Sequence, residues 1–260
     1  MLIFTAVNPL KLIFRFIKSV QEFSLFAYFG IRGIFQKPIY WRDTIDQMDR
    51  FGIGSFVIVG FTGLFTGMVM ALQMAVTLER FGIKTLVGRA VSVSIVRELA
   101  PVLSALIVAG RMGSGIAAEL GAMKVGEQTD ALRAMGTDPI KKLVTPRLVA
   151  GLIMMPLLTV FADFIGVFGG YIICSSVLDF SGNLYWTSVL ESLDETDVFP
   201  GLTKPLFFGL IIAVVGCYMG LRTRGGTVGV GKAATESVVI ASLGIILADF
   251  LITKFYFAIL

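Results

Sequence analysis

The hydrophobic pattern of the chain is dominated by long apolar runs rather than by alternation. Residues 53–78, 90–118, 148–177, 205–221 and 237–259 are each long enough to cross a bilayer, which takes about 20 residues at 1.5 Å per residue. The first run has no charge between Arg50 and Glu79. The second is interrupted by Arg97, Glu98, Pro101 and Arg111, the third holds only Asp163, and the fifth holds Asp249 and Lys254. Ahead of them, Lys11, Arg15, Lys18 and Glu22 recur at helical spacing, with Ile3, Val7, Leu10, Phe14, Ile17 and Val20 on another face. That pattern predicts an amphipathic helix lying in the membrane interface, the alternative being a helix packed on the protein's own core. The expected architecture is therefore an all-α membrane protein in one domain, residues 1–260. Residues 1–50 form the interfacial helix and a linker, and residues 51–260 form a bundle of five transmembrane helices.

Composition agrees. Of 260 residues, 56% are hydrophobic and 15% charged, with a mean hydropathy of +0.86, where a soluble domain carries roughly 25% charged residues. Histidine is absent, which removes imidazole acid–base chemistry and histidine-based metal sites. Cys174 and Cys217 lie inside apolar runs and suggest neither a disulfide nor a metal site. The charges at positions 11, 15 and 18 break the uninterrupted core that a cleavable signal peptide needs.

Basic residues set the orientation. With the N-terminus in the cytoplasm, residues 11–50, 124–147 and 222–232 place fifteen Lys and Arg inside, against five outside: Arg80, Lys84, Arg89, Lys204 and Lys254. The expectation is a multi-pass protein of the bacterial inner membrane, N-terminus cytoplasmic and C-terminus periplasmic. Its acidic loop (Asp179, Glu191, Asp194, Glu195, Asp197) lies outside.

Two stretches carry motifs. Gly226-x-x-x-x-Gly231-Lys232 matches seven positions of a phosphate-binding loop, but Ala233 stands where Ser or Thr should hold magnesium, and no strand precedes it. We read it as a tight cytoplasmic turn, so this chain binds no cofactor of its own. Glycines spaced four apart (Gly63/Gly67, Gly166/Gly170, Gly216/Gly220) predict close helix packing. In the loop after the second run, residues 127–135 read as a short helix stopped by Gly136 and Asp138-Pro139. Ala131, Leu132 and Met135 give it an apolar stripe that suits a partner's groove; folding back on the membrane is the alternative.

The run Glu119-Leu-Gly-x-Met123, Glu127-Gln128-x-Asp130-Ala131-Leu132, Met135-Gly136-x-Asp138-Pro139 and Pro146-Arg147 resembles the MlaE/YrbE family of lipid-transporter permeases. So do Val96–Ser114 and Gly229-Val230-Gly231-x-Ala233. The resemblance covers essentially the whole chain. It implies a permease homodimer on a dimer of separate ABC ATPases, which would hold the ATP and magnesium. The short cytoplasmic helix would be the coupling helix, engaging the ATPase through Glu119, Met123, Glu127, Gln128, Asp130, Ala131, Leu132, Met135 and Asp138. It further implies a membrane-anchored periplasmic MCE-domain partner, in some systems a STAS-domain protein, phospholipid as cargo, a role in outer-membrane lipid asymmetry, and no nucleic acid.

Charges inside the apolar runs point to function independently, because a mid-bilayer charge costs several kcal/mol unless it faces a cavity or a partner. Arg97, Glu98 and Asp249 fall in the outer half of the membrane, with Lys204 and Lys254 nearer the surface. As neighbours, Arg97 and Glu98 point about 100° apart and cannot pair well. One reading gives Arg97 and Lys204 to a lipid phosphate and Glu98 to a cationic head or a gate; the other makes them interhelical ion pairs such as Arg97 with Asp249. Asp163 and Arg111 are assigned to structure. Leu64, Met68, Leu72 and Leu78 on the first run form a face suited to lipid tails. Rival functions are an ion-coupled secondary transporter, a non-transporting assembly scaffold and an intramembrane enzyme. The last lacks any recognisable nucleophile–base set, and the first lacks the internal repeat it would predict.

Overall fold

The computed structural model describes residues 9–38, 40–177 and 182–259, and those residues form helices and turns with no strand. Eleven α-helices run in order: α1 (Pro9–Ile34), α2 (Trp41–Phe51), α3 (Ile53–Arg80), α4 (Val87–Ser94), α5 (Ala100–Val108), α6 (Ser114–Val125), α7 (Gln128–Ala134), α8 (Thr145–Ser176), α9 (Gly182–Leu190), α10 (Glu195–Leu221) and α11 (Gly226–Ile259). Five continuous stretches are long and apolar enough to span a membrane: Trp41–Arg80, Val87–Val125, Ile140–Ser176, Glu195–Leu221 and Gly226–Ala258.

The second stretch is continuous only because two π-turns, Ile95–Leu99 and Ala109–Gly113, join α4, α5 and α6. A third, Ile140–Val144, leads into α8. The first and third each precede a proline, Pro101 or Pro146. Proline has no N–H to offer the carbonyl one turn back, and a wider turn absorbs the mismatch. At the second, Ser114 Oγ donates to the carbonyl of Gly110, so the loosened backbone keeps a partner.

Central α8 packs against α3, α10 and α2, while α10 also meets α6 and α11. Glycine makes these approaches possible. A Cβ on Gly67 would stand 1.8 Å from the carbonyl oxygen of Gly166, and Gly151 and Gly209 lie carbonyl against Cα across the α8–α10 seam. The glycine pairs that suggested close packing therefore serve seams within one chain: Gly63 and Gly67 against α8, Gly216 and Gly220 against α6.

Three expected boundaries move. The fourth span begins at Glu195 rather than at residue 205, because α10 carries Pro200 and Pro205 inside it. Lys204, expected near the surface, is therefore within the helix. The fifth begins at Gly226 rather than at residue 237. Its glycines are accommodated as helix because Gly229 packs directly on the carbonyl of Arg224, where a Cβ would come within 1.9 Å. The loop between α10 and α11 shrinks to residues 222–225. Of the N-terminal amphipathic pattern, Ile3 and Val7 lie outside the described residues; from Pro9 onward the segment is the helix α1, which packs against α8 and α10.

Gly67→Leu should destabilise the bundle by about 1–3 kcal/mol, the usual cost of overpacking, because Gly166 offers backbone and no side chain that can swing away. Gly115, with open space around it, is the control. Thermal unfolding of detergent-solubilised protein should separate Gly67→Leu from an unchanged Gly115→Leu.

Candidate functional site: a charge knot at one end and a free helix at the other

Two groups of predicted residues are brought together at opposite ends of the bundle. At the end where α3 and α8 finish and α10 begins, Pro101 offers no N–H to the carbonyl of Arg97 one turn back. The Nζ of Lys204 takes that place, donating to the Arg97 carbonyl at 3.0 Å and to Glu98 Oε2 at 2.6 Å. It also lies 2.9 Å from Asp249 Oδ1. An ammonium has three protons, and Lys204, only 1% exposed, faces three oxygens from two neighbouring elements. Glu98 receives a further bond from Thr253 on α11, 3.2 Å.

Arg97 turns elsewhere. It pairs with Asp197 at 3.2 Å and lies over the ring of Phe257, 5.5 Å from its centre. The expected pairing of Arg97 with Asp249 is thus not made: Lys204, buried between them in α10, takes Asp249, and Arg97 takes Asp197. The separation of the neighbours Arg97 and Glu98 follows the helical geometry. Asp197 escaped sequence reasoning because it was assigned to a loop. Once α10 starts at Glu195, Asp197 lies two turns before Lys204, on the same face. Formally the knot holds two cations and three carboxylates. Its most accessible charges are Arg97 and Glu98, whose side chains are 29% and 42% exposed, against 22% for Asp249.

The four tail-facing candidates do not join this knot. Leu64, Met68 and Leu78 are half-buried and Leu72 is exposed; Leu78 packs on the core, and the Leu64 carbonyl meets Gly169 of α8. Arg111 is structural as expected, donating to Ser55 Oγ at 2.9 Å and the Arg50 carbonyl at 3.2 Å. Asp163 differs: it meets no cation among the described residues, and its Oδ1 is buried without a hydrogen-bond partner.

At the other end, α6 runs into α7 through a turn in which Glu127 adopts φ 58°, the left-handed region that costs a residue with a side chain roughly 1–2 kcal/mol. Its carbonyl accepts from the amides of Asp130 and Ala131, while its side chain is exposed and makes no ion pair among the described residues. Gly136, at φ 76°, ends α7: the Thr137 amide reaches the Leu132 carbonyl and the Gly136 amide that of Arg133, a double closure that glycine favours. Asp138 accepts from the Ile140 amide at 2.9 Å and starts the next turn. Asp130 ties α7 to α6 through Lys124, at 2.9 and 3.1 Å, with Arg133 beside it at 3.6 Å.

The predicted stripe on α7 is split. Leu132 turns inward and packs on the core, whereas Ala131 is exposed and Met135 is 71% exposed. Gln128 is exposed, and Met123 is half-buried against the core. Glu119 is committed within the chain: Arg147, 4% exposed, meets it at 2.9 Å and Arg50 at 3.3 Å. It joins α6, α8 and α2. The glycine-lysine run 226–232 forms the first turns of α11 rather than a loop, with Lys232 paired to Glu236.

Residues 44–255 match the family model described as Permease MlaE. The chain belongs to the MlaE permease family. It is 43% identical to a probable ABC transporter permease protein of Rickettsia prowazekii, over 94% of this chain and 95% of that protein. It is 35% identical to the intermembrane phospholipid transport system permease protein MlaE of Haemophilus influenzae, over 95% of each. It is 38% identical to the chloroplastic protein trigalactosyldiacylglycerol 1 of Arabidopsis thaliana, over 86% of this chain and 64% of that protein. The MlaE match spans both the knot and α7, and takes in neither α1 nor the residues before it. The Rickettsia and Haemophilus relatives are named as permeases, and this chain is likewise a permease subunit rather than an enzyme.

Two predictions follow the two ends. Replacing Lys204 by Met should cost about 3 kcal/mol, because two carboxylates and a carbonyl then lose their buried donor. Adding Asp249→Asn should recover part of the loss in the same unfolding assay. At the other end, the hydrogen bond from Lys124 holds the Asp130 carboxyl below its ordinary 3.8. A depressed carboxylate stabilises above its unfolded value and stops doing so as pH falls through the folded one. Protection of the α7 amides, measured against the intrinsic exchange rate at each pH, should therefore fall below about pH 4, and Asp130→Asn should flatten that dependence.

Proposed function

We propose that this chain is the membrane subunit of an ABC transporter that moves phospholipid or a related lipid between the inner membrane and the periplasm or outer membrane, serving lipid asymmetry of the outer membrane. The family match over residues 44–255 carries this reading, and the Haemophilus relative's name supplies the cargo class. The chain works as a homodimer on a separate ATPase dimer, which binds the ATP and magnesium, with an MCE-domain protein, and in some systems a STAS-domain protein, completing the assembly.

In this reading α7 is the coupling helix. What it offers a partner is Glu127, Gln128, Ala131 and Met135; Glu119, Met123, Leu132, Asp130 and Asp138 hold it in place. Its end of the bundle is the cytoplasmic one, supported by the concentration there of Arg50, Lys124, Arg133, Lys141, Lys142, Arg147 and Arg222. The knot then lies in the periplasmic half. A lipid head group meets Arg97 and Glu98 there, since they remain accessible, while Lys204 and Asp249 position them. Leu64, Met68 and Leu72, with the weakly buried α11, face the second copy and the lipid tails.

Glu127 provides the test. Glu127→Gly relaxes the left-handed backbone, and Glu127→Lys reverses the free charge. Both variants should stay folded in the membrane yet lose most lipid-stimulated ATP turnover and co-purification of the ATPase. Full lipid-responsive turnover in both variants would remove α7 from the coupling role. A permease-only preparation that moves lipid with ATP, or along a proton gradient, would overturn the transporter assignment itself.

A further inference from the structure

Several carboxylates within the spans are answered by a cation: Glu98 and Asp249 by Lys204, Asp197 by Arg97, Glu119 by Arg147. Asp163 is not. It stands roughly 20 Å along α8 from Ser176 at 1.5 Å per residue, well inside the apolar length. Its Oδ1 is buried with no partner, and no ion pair reaches it. An uncompensated carboxylate there is expensive, and such a residue in a membrane span marks a ligand or ion path unless something neutralises it.

Asp163 also lines a cavity of about 340 Å³, within the roughly 300–1,000 Å³ of small-molecule sites. Its walls are otherwise apolar: Val96, Val160, Trp186, Leu193 and Leu202 among them, contributed by α8, α9, α10, the turn between α9 and α10 and the turn at Ile95–Leu99. Neither Lys204 nor Arg97 reaches this cavity, although Val96 and Gly201 in its wall belong to the elements that carry the knot. An apolar pocket with one carboxylate has the make-up of a site for a hydrocarbon chain bearing a single hydrogen-bond-donating cation.

We infer that the cavity between α8, α9 and α10 is a second, lateral binding site for an amphiphile with a primary ammonium group, which Asp163 receives. The ammonium supplies the missing counter-charge and a charge-assisted hydrogen bond, and the hydrocarbon replaces empty apolar volume. This site is separate from the knot and does not depend on the direction of transport. A phosphate-only head group has no donor for Asp163 and gains nothing from it.

The chain carries two tryptophans, Trp41 and the cavity-lining Trp186, so Trp41→Phe leaves a single reporter. The full-length protein with that change is reconstituted in phosphatidylcholine vesicles and titrated with a brominated long-chain primary amine, and separately with the brominated alcohol of the same chain. The amine should quench Trp186 at a mole fraction roughly ten- to a hundredfold lower than the alcohol, the range that a hydrogen bond between charged groups supplies. Asp163→Asn should abolish that preference while leaving the weak quenching by alcohol; removing a half-buried carboxylate that has no ion pair should not harm folding. Val160→Phe, which fills the cavity without touching the charge, should reduce quenching by both. Equal quenching by amine and alcohol in the parent protein would mean that Asp163 is neutralised by a proton and recognises no amine. A preference that survives Asp163→Asn would place the amine elsewhere. Either result overturns the assignment.

Discussion

The rest of the structure depends on a single backbone carbonyl. Within a bilayer no water completes an unmet hydrogen bond, so every polar backbone group must be met from inside the protein. Pro101 offers no N–H to the carbonyl of Arg97 one turn back, and the ammonium of Lys204 donates to it. Bringing a cation that deep obliges anions to follow, and Glu98 and Asp249 do. The proline thus explains the lysine, and the lysine explains both acids. Three helical stretches, at Ile95–Leu99, α10 and α11, are joined through one nitrogen atom. Arg97, displaced from its neighbour by the helical turn, finds Asp197 and remains accessible at the edge of the knot.

The glycine seams make this possible. Side-chain ion pairs between helices work only when the axes are held at a fixed separation, and in lipid no hydrophobic force presses helices together. Contacts such as Gly67 on Gly166 and Gly151 on Gly209 set the α3–α8 and α8–α10 distances through backbone meeting backbone. Carbonyl against Cα leaves no rotamer to relax, so the seams are stiff. The two ends of the bundle then keep a defined relation across the length of α8.

Legibility from sequence followed the strength of the signal. The long apolar runs were readable because only helices of that length satisfy a chain in lipid, and the stop at Gly136 was readable because a left-handed closing residue favours glycine. The boundaries of α10 and α11 were not, since Pro200, Pro205 and the glycines at 225–231 look like loop formers. Each is tolerated by packing that no single-sequence pattern encodes, as Gly229 against the Arg224 carbonyl shows. Misplacing the start of α10 hid Asp197 and made Lys204 look superficial. The case of Asp163 was of another kind: its charge was visible, and the absence of a partner emerges only from three dimensions. Leu132 likewise belonged to the stripe read on α7 but turns away from Ala131 and Met135 and packs inward, because a helix so short rests one side on its own bundle.

The two ends differ in how their charges are held. In the knot, the central cation is 1% exposed and its partners come from separate helices, so moving any one helix breaks several interactions at once. At α7 the tie is one exposed pair, Lys124 to Asp130, and exposed pairs contribute about 0–1 kcal/mol. Beside it Glu127 holds an unfavourable backbone conformation with its carboxylate uncommitted. Strain that local contacts do not relieve is kept where another body relieves it. A partner docking on α7 can therefore change that turn at little cost, whereas the same energy applied at the knot would move nothing until three helices moved together. On the proposed coupling role of α7 and lipid role of the knot, force would pass from a soft end to a stiff one, and a lipid at Arg97 and Glu98 would be released when α10 or α11 shifts as a body.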